Sequence, residues 1–230
     1  MNTATAKAAP APLRLDVFAD VACPWCYLGK RQLEQALAGY PLPVEVRHRA
    51  FQLNPGASAA GVPATEYLAK KFGSTERVKQ AHARLAAMGA PVGIAFAWDK
   101  QVATNTRLAH RLIALAAEQG HEQVALDALF RANFEEGVNV GDPAAAIAAL
   151  KHHAVPLDYP ALEAALAEGG GEESVDRDLR EAREQGIDGV PLFLADGRLA
   201  ISGAQPVEVL RSFLDEAARR AGEGEQAAPD

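Results

Sequence analysis

Cysteine is nearly absent. The 230-residue chain has two, Cys23 and Cys26, too few for a disulfide-stapled scaffold. Metal-ligating groups are equally sparse in pattern. His152-His153 have no cysteine or carboxylate at a ligand spacing, and a structural zinc needs four donors, so no metal site is expected. Long apolar runs are missing too, which excludes a bilayer-spanning helix. The N-terminal stretch Met1 to Pro12 is rich in Ala, Thr and Pro and lacks the apolar core of a secretory signal. The expectation is a soluble, cytoplasmic protein with no membrane partner. Clustered positive charge is lacking as well. The net charge is −7, and the basic runs Lys30-Arg31 and Arg47-His48-Arg49 are short and read as solvated faces. That excludes nucleic acid as a partner. Internal repeats are absent, and low complexity is confined to the Ala-rich termini.

What remains is ample for one large folded unit. Hydrophobic residues make up 49% of the chain, enough for a full core. Leu13, Leu15 and Val17 alternate with Arg14 and Asp16, the period of a strand. Leu28, Leu33 and Leu37 follow with helical spacing from about Tyr27 to Gly39. Val44 and Val46, extended to Ala50-Phe51, return to a period of two. From Ala64 to Gln185 the pattern is helical, with hardly any strand signal. Helices are predicted over Ala64–Phe72, Ser74–Met88, Thr104–Glu118, Glu122–Glu135, Asp142–His153, Asp158–Glu168 and Ser174–Gln185. Asp142-Pro143 is a helix start with Asp as N-cap and Pro at the first position. Leu192-Phe193-Leu194 and Leu199-Ala200-Ile201 flank Asp196-Gly197, a hairpin signal. Pro206 to Ala218 closes the fold as a helix.

This order predicts an α/β protein: a thioredoxin fold with a large all-helical domain inserted between its βαβ and ββα halves. Residues 13–55 and 172–221 form the thioredoxin domain, and 56–171 form the insertion. Residues 1–12 and 222–230 read as flexible tails.

Cys23-Pro24-Trp25-Cys26 falls at the junction of the first strand and first helix. Closing so small a ring removes little unfolded-chain entropy, so a structural role is poorly served. Two thiols one turn apart, in a compartment that keeps thiols reduced, point instead to reversible redox chemistry.

The chain resembles the DsbA-like thioredoxin oxidoreductases, in particular their FrnE-type branch. The resemblance is carried by the segment Phe18 to Gly29, by Phe51 to Pro55, by Asn105-Thr106 with Ala109-His110-Arg111, by Glu135-Glu136-Gly137, by Gly189 to Phe193 and by Ile201 to Pro206. The family extends to 2-hydroxychromene-2-carboxylate isomerases and kappa-class glutathione transferases. Those relatives have a serine near the position of Cys23 and no second cysteine.

The resemblance implies a thiol–disulfide oxidoreductase or isomerase. Cys23 would attack and Cys26 would resolve the mixed disulfide. A helix N-terminus, carrying about half a positive charge, favours the Cys23 thiolate. Pro24 would fix the turn and Trp25 would shape the approach. The resemblance further implies a cis bond at Val190-Pro191, with Pro191 beside the sulfurs and the Val190 backbone free to pair with substrate. Asp20 either relays the proton of Cys26, if burial raises its pKa, or is an ordinary loop carboxylate. Asn105 and His110 are candidates to line the insertion's face toward Cys23. Ser202 either begins the turn into the last helix or contacts a glutathione-like carboxylate. No tightly bound cofactor is implied, and glutathione is a candidate redox partner. Other partners would be disulfide- or dithiol-containing proteins or small thiols, acting on a monomer or homodimer. The alternatives are a glutathione-dependent isomerase or transferase using Cys23 alone, and a non-catalytic binding module.

Overall fold

The structure, a computed structural model, describes residues 11–226. The expected tails fall largely outside the described residues, at 1–10 and 227–230. Strand β1 (Leu13–Ala19), helix α1 (Pro24–Leu37) and strand β2 (Val44–Ala50) form the first unit. β1 and β2 pair in parallel from Leu13 opposite Val44 to Ala19 opposite Ala50.

The chain then leaves the sheet for an insertion of helices. These are α2 (Ala64–Phe72), α3 (Thr75–Gly89), α4 (Arg107–Glu118), α5 (Glu122–Arg131), α6 (Pro143–His152) and α7 (Tyr159–Ala167). The insertion also holds a small antiparallel ribbon, β3 (Val62–Pro63) with β4 (Val102–Ala103), which period-counting missed because each strand is two residues long. Helix α8 (Glu172–Glu184) returns the chain to the sheet. The hairpin β5 (Leu192–Ala195) and β6 (Leu199–Ser202) and the helix α9 (Val207–Gln226) complete it. The sheet order is β2-β1-β5-β6, with β5 antiparallel to β1. Asp196 and Gly197 both have positive φ, 48° and 68°, within the three-residue loop 196–198 that joins β5 to β6, and the Arg198 amide donates to the Ala195 carbonyl at 2.9 Å.

Three details depart from the sequence reading. α4 starts at Arg107 rather than Thr104, because Asn105 Oδ1 accepts the Arg107 amide at 2.9 Å. The helix expected from Glu122 to Glu135 changes at Ala132 into a π-helical turn, Ala132–Glu136, which ends at the left-handed Gly137. α9 runs through residues 222–226, where a tail was expected. Ion pairs of Arg219 with Glu216 and Glu223 lace its last turns.

The basic runs are not solvated faces. Lys30 is buried and pairs with Glu34 and Asp127, while Arg31 reaches Asp127 at 2.8 Å, tying α1 to α5. Arg49 bonds Asp178 of α8 at 2.6 Å, also pairs with Glu181, and lies 3.5 Å from Asp16. His48 between them is buried, and only Arg47 stays in solvent. Both runs meet carboxylates on elements distant in sequence, which local charge counting cannot foresee.

The core has two main parts. Leu15, Leu33, Phe193, Leu210 and Leu214 fill the space between the sheet and helices α1 and α9. The second and larger part joins Leu112, Leu129, Phe130 and Phe134 of the insertion to Cys26, Tyr27 and Leu28 of α1. Tyr27 stacks on Phe130 with ring centroids 5.1 Å apart. The two-cysteine turn is therefore clamped between the sheet and the insertion.

Candidate active site

Each side chain near the cysteines is placed by a distinct element. β1 ends at Ala19, and a tight turn carries Asp20 to Ala22 into the helix start. Cys23 is the N-cap of α1 and Pro24 occupies the first helical position, where its missing N–H costs nothing. The Cys26 and Tyr27 amides donate to the Cys23 carbonyl at 3.0 and 3.3 Å, closing the first turn. Gly29 lets α1 approach the start of β5 closely. A Cβ at this position would lie 3.1 Å from Pro191 Cγ. The Val190–Pro191 bond is cis, and the Val190 carbonyl oxygen sits 3.6 Å from Cys23 Sγ.

Both thiols are free and buried, Cys23 at 4% exposure and Cys26 at 2%. Their environments pull them apart. The Cys26 thiol hydrogen-bonds Cys23 and holds its pKa below the ordinary cysteine value, and backbone amides of Cys26 and Trp25 add to this against the cost of burial. Burial pushes Cys26 well up, and the neighbouring Cys23 raises it further. Cys23 is thus the group disposed to be a thiolate. Its alkylation by iodoacetamide should follow a titration with a midpoint below the usual value of about 8.5, the rate falling as pH drops through it. In Cys26→Ala the hydrogen bond is gone, and the midpoint should move upward. A midpoint unchanged by that substitution would contradict the assignment.

Asp20 is 1% exposed. Its carboxylate accepts the Ala22 amide at 3.1 Å and the Leu53 amide at 2.7 Å, which fixes it beneath the cysteine turn. A cavity of about 490 Å³ opens beside Cys23, Pro24 and Trp25, walled mainly by apolar side chains of the insertion such as Leu68, Val78 and Leu85. Trp98 forms part of the wall, stacked on Phe96 and His82 with centroids 4.3 and 4.0 Å away. Trp98 Nε1 and Gln101 Oε1 are buried at this cavity without a hydrogen-bond partner among the described residues. Gln101 carried no sequence signal. It stands out only once its surroundings are assembled.

The structure brings together Asp20, Cys23, Pro24, Trp25, Cys26, Val190 and Pro191. It does not bring Asn105, His110 or Ser202 to the cavity. Asn105 is consumed as a brace: its amide takes Gln52 and donates to the carbonyls of Pro55 and Ala57. His110, at 1% exposure, lies behind Asp20, with its Nε2 3.5 Å from Asp20 Oδ1 and its Nδ1 3.1 Å from His48 Nε2. Ser202 is exposed at the end of β6, opposite Leu192, too far from the start of α9 at Val207 to cap it. His48 was read only as part of a solvated basic run, and the structure buries it. The strand period places it on the face of Val46 and Ala50, a signal that its charged neighbours obscured.

The family model described as a DSBA-like thioredoxin domain matches residues 14–215. No match was found among curated proteins. Among solved structures, a probable DsbA oxidoreductase from Streptomyces coelicolor is 35% identical, with a TM-score of 0.84 over 95% of this chain and 93% of its own. The cytosolic disulfide reductase DsbM from Pseudomonas aeruginosa is 21% identical, with a TM-score of 0.64 over 90% of this chain and 99% of its own. A 2-hydroxychromene-2-carboxylate isomerase is 17% identical, with a TM-score of 0.67 over 91% and 98%. The last two share the fold.

Proposed function

The chain belongs to the DSBA-like thioredoxin domain family, and on that premise we propose that it is a thiol–disulfide oxidoreductase working through Cys23 and Cys26. The observation that carries this reading is the opposed environment of two thiols one turn apart: Cys23 favours the thiolate, Cys26 the protonated thiol. The Cys23 thiolate attacks a substrate sulfur, and one substrate thiolate leaves. Cys26 then loses its proton to Asp20 and attacks Cys23 Sγ, expelling the second substrate thiol and closing the ring. The reverse sequence transfers the disulfide outward. Pro24 and Trp25 form the rim, and the Val190 backbone is available to hold an extended segment beside the sulfur.

The apolar cavity next to Cys23 suits a compact ligand or an inserted side chain. DsbM has also been solved with glutathione, and we take this thiol as the candidate exchange partner of the present chain, with no tightly bound cofactor and a cytoplasmic setting.

Titration in glutathione redox buffers, read by mass after trapping free thiols, tests the reading. The expected result is one reversible two-electron transition involving both cysteines. A potential near or below the cytosolic poise would mark a reductase, and a much higher one an oxidant or isomerase. Two alkylatable thiols at every buffer ratio would sink it.

A further inference from the structure

Asp20 solves one problem for Cys26 and creates another. A carboxylate at 1% exposure can accept a proton, but it must pass that proton on before the next turnover. On one side of it lies the substrate cavity. On the other lie two buried histidines and a second cavity of about 660 Å³, which shares no lining residue with the first.

We propose that His110 and His48 form a proton path joining Asp20 to water in this second cavity, so that the proton of Cys26 comes and goes without crossing the substrate site. The proposal rests on the dithiol reading above. Asp20 lines the first cavity, while His110 and His48 line the second. The three groups stand in sequence: Asp20 Oδ1 lies 3.5 Å from His110 Nε2, which makes no hydrogen bond among the described residues and must close that gap to take the proton, and His110 Nδ1 meets His48 Nε2 at 3.1 Å between near-parallel rings. His48 lines the second cavity, and its buried Nδ1 has no hydrogen-bond partner among the described residues, a polar atom that a water bound in the wall of that cavity would satisfy.

The chemistry balances. With both rings protonated on Nδ1, protonated Asp20 gives its proton to His110 Nε2. His110 passes its Nδ1 proton to His48 Nε2, and His48 releases its own to water. One proton leaves Asp20, one reaches solvent, and both rings end in the other tautomer, ready to deliver a proton inward when the ring is reduced. Burial, with His110 and Arg49 nearby, holds His48 well below the usual histidine range. It is therefore neutral near pH 7, the form that can both accept and donate. Glu118 of α4, Glu122 of α5, Glu168 at the end of α7 and Glu173, Arg177 and Asp178 of α8 are the charged groups lining the cavity, and the Glu122 carboxylate accepts the His48 amide at 2.9 Å.

The test follows Trp25 fluorescence by stopped flow as reduced protein reacts with glutathione disulfide. Formation of the mixed disulfide depends on glutathione disulfide concentration, and ring closure by Cys26 does not. His48→Gln keeps a polar side chain but cannot shuttle a proton by changing tautomer. It should slow ring closure roughly 10-fold, short of the ~10²–10⁴ of a direct general base because Asp20 remains. Its iodoacetamide reactivity at Cys23 should be unchanged, and added imidazole should restore the rate through the cavity. Ala117→Leu, which narrows the same cavity two helical turns beyond His110, should slow closure with no rescue. Wild-type closure rates in both variants would overturn the path. So would slowing of His48→Gln that imidazole leaves untouched, since a structural role predicts that. If the wild-type chain itself never closes its ring, the dithiol reading has failed and the path falls with it.

Discussion

Cys26→Ser should stall the protein as a mixed disulfide on Cys23. In the wild-type chain the second thiol is one helical turn from the first and hydrogen-bonded to it, so resolution is intramolecular. Well-oriented intramolecular groups act as though present at ~10⁵–10⁸ M. A serine hydroxyl cannot attack the disulfide, and an external thiol at ordinary concentration must replace it. Disulfide turnover should fall by at least about 10³-fold, a small part of that advantage. Intact mass after exposure to glutathione disulfide should show a persistent single adduct, absent from the wild-type chain. The opposite result is informative as well. Unimpaired glutathione-dependent catalysis in Cys26→Ser would favour the isomerase or transferase chemistry that needs Cys23 alone.

The largest expected loss of stability comes from Asp178→Ala. The Asp178 carboxylate accepts the Arg49 guanidinium at 2.6 Å and the Ala50 amide at 2.8 Å, both on the last residues of β2. Removing it leaves a buried N–H without a partner and a half-buried cation short of one of its three carboxylates. Breaking such a pair from one side costs about 3–5 kcal/mol. Arg49 keeps Glu181 and Asp16, so the lower end applies. At about 2–4 °C per kcal/mol for a chain of this size, the thermal midpoint should drop by roughly 6–12 °C. Asp178→Asn retains an acceptor for the Ala50 amide and should lose about half as much. A midpoint within about 2 °C of wild type for the alanine variant would place the cluster with exposed ion pairs that contribute little.

Much of the frame was legible along the chain. The alternation of β1 and β2, the Asp196-Gly197 turn and the Asp142 cap each announce themselves within a few residues. These features are set by local sterics and hydrogen bonding, and the strands, the turn and the cap are all present, though β1 is covered on both faces and buries Asp16 as well. Asp142 Oδ1 accepts the Ala145 amide at 2.8 Å. The errors share a cause. Arg49 was read beside Arg47, yet its partner Asp178 lies 129 residues away. Asn105 and His110 sit on or beside a helix that faces the cysteines, but periodicity names a face without naming what stands opposite. Asn105 turned out to brace a loop and His110 to face Asp20 and His48. The π-helical turn after α5 was equally invisible, since Phe130 and Phe134 satisfy ordinary helical spacing.

By itself, then, the order of residues settled the place and separation of the two sulfurs: within one turn, at the mouth of a helix that follows a strand. No folding of the remainder could part them. Only the tertiary structure decided what surrounds them. The Val190 carbonyl reaches Cys23 across 167 residues, and Leu53 pins Asp20 across 33. Proton affinity depends on burial and on neighbouring charges, and those arise from packing between distant segments rather than from any local pattern.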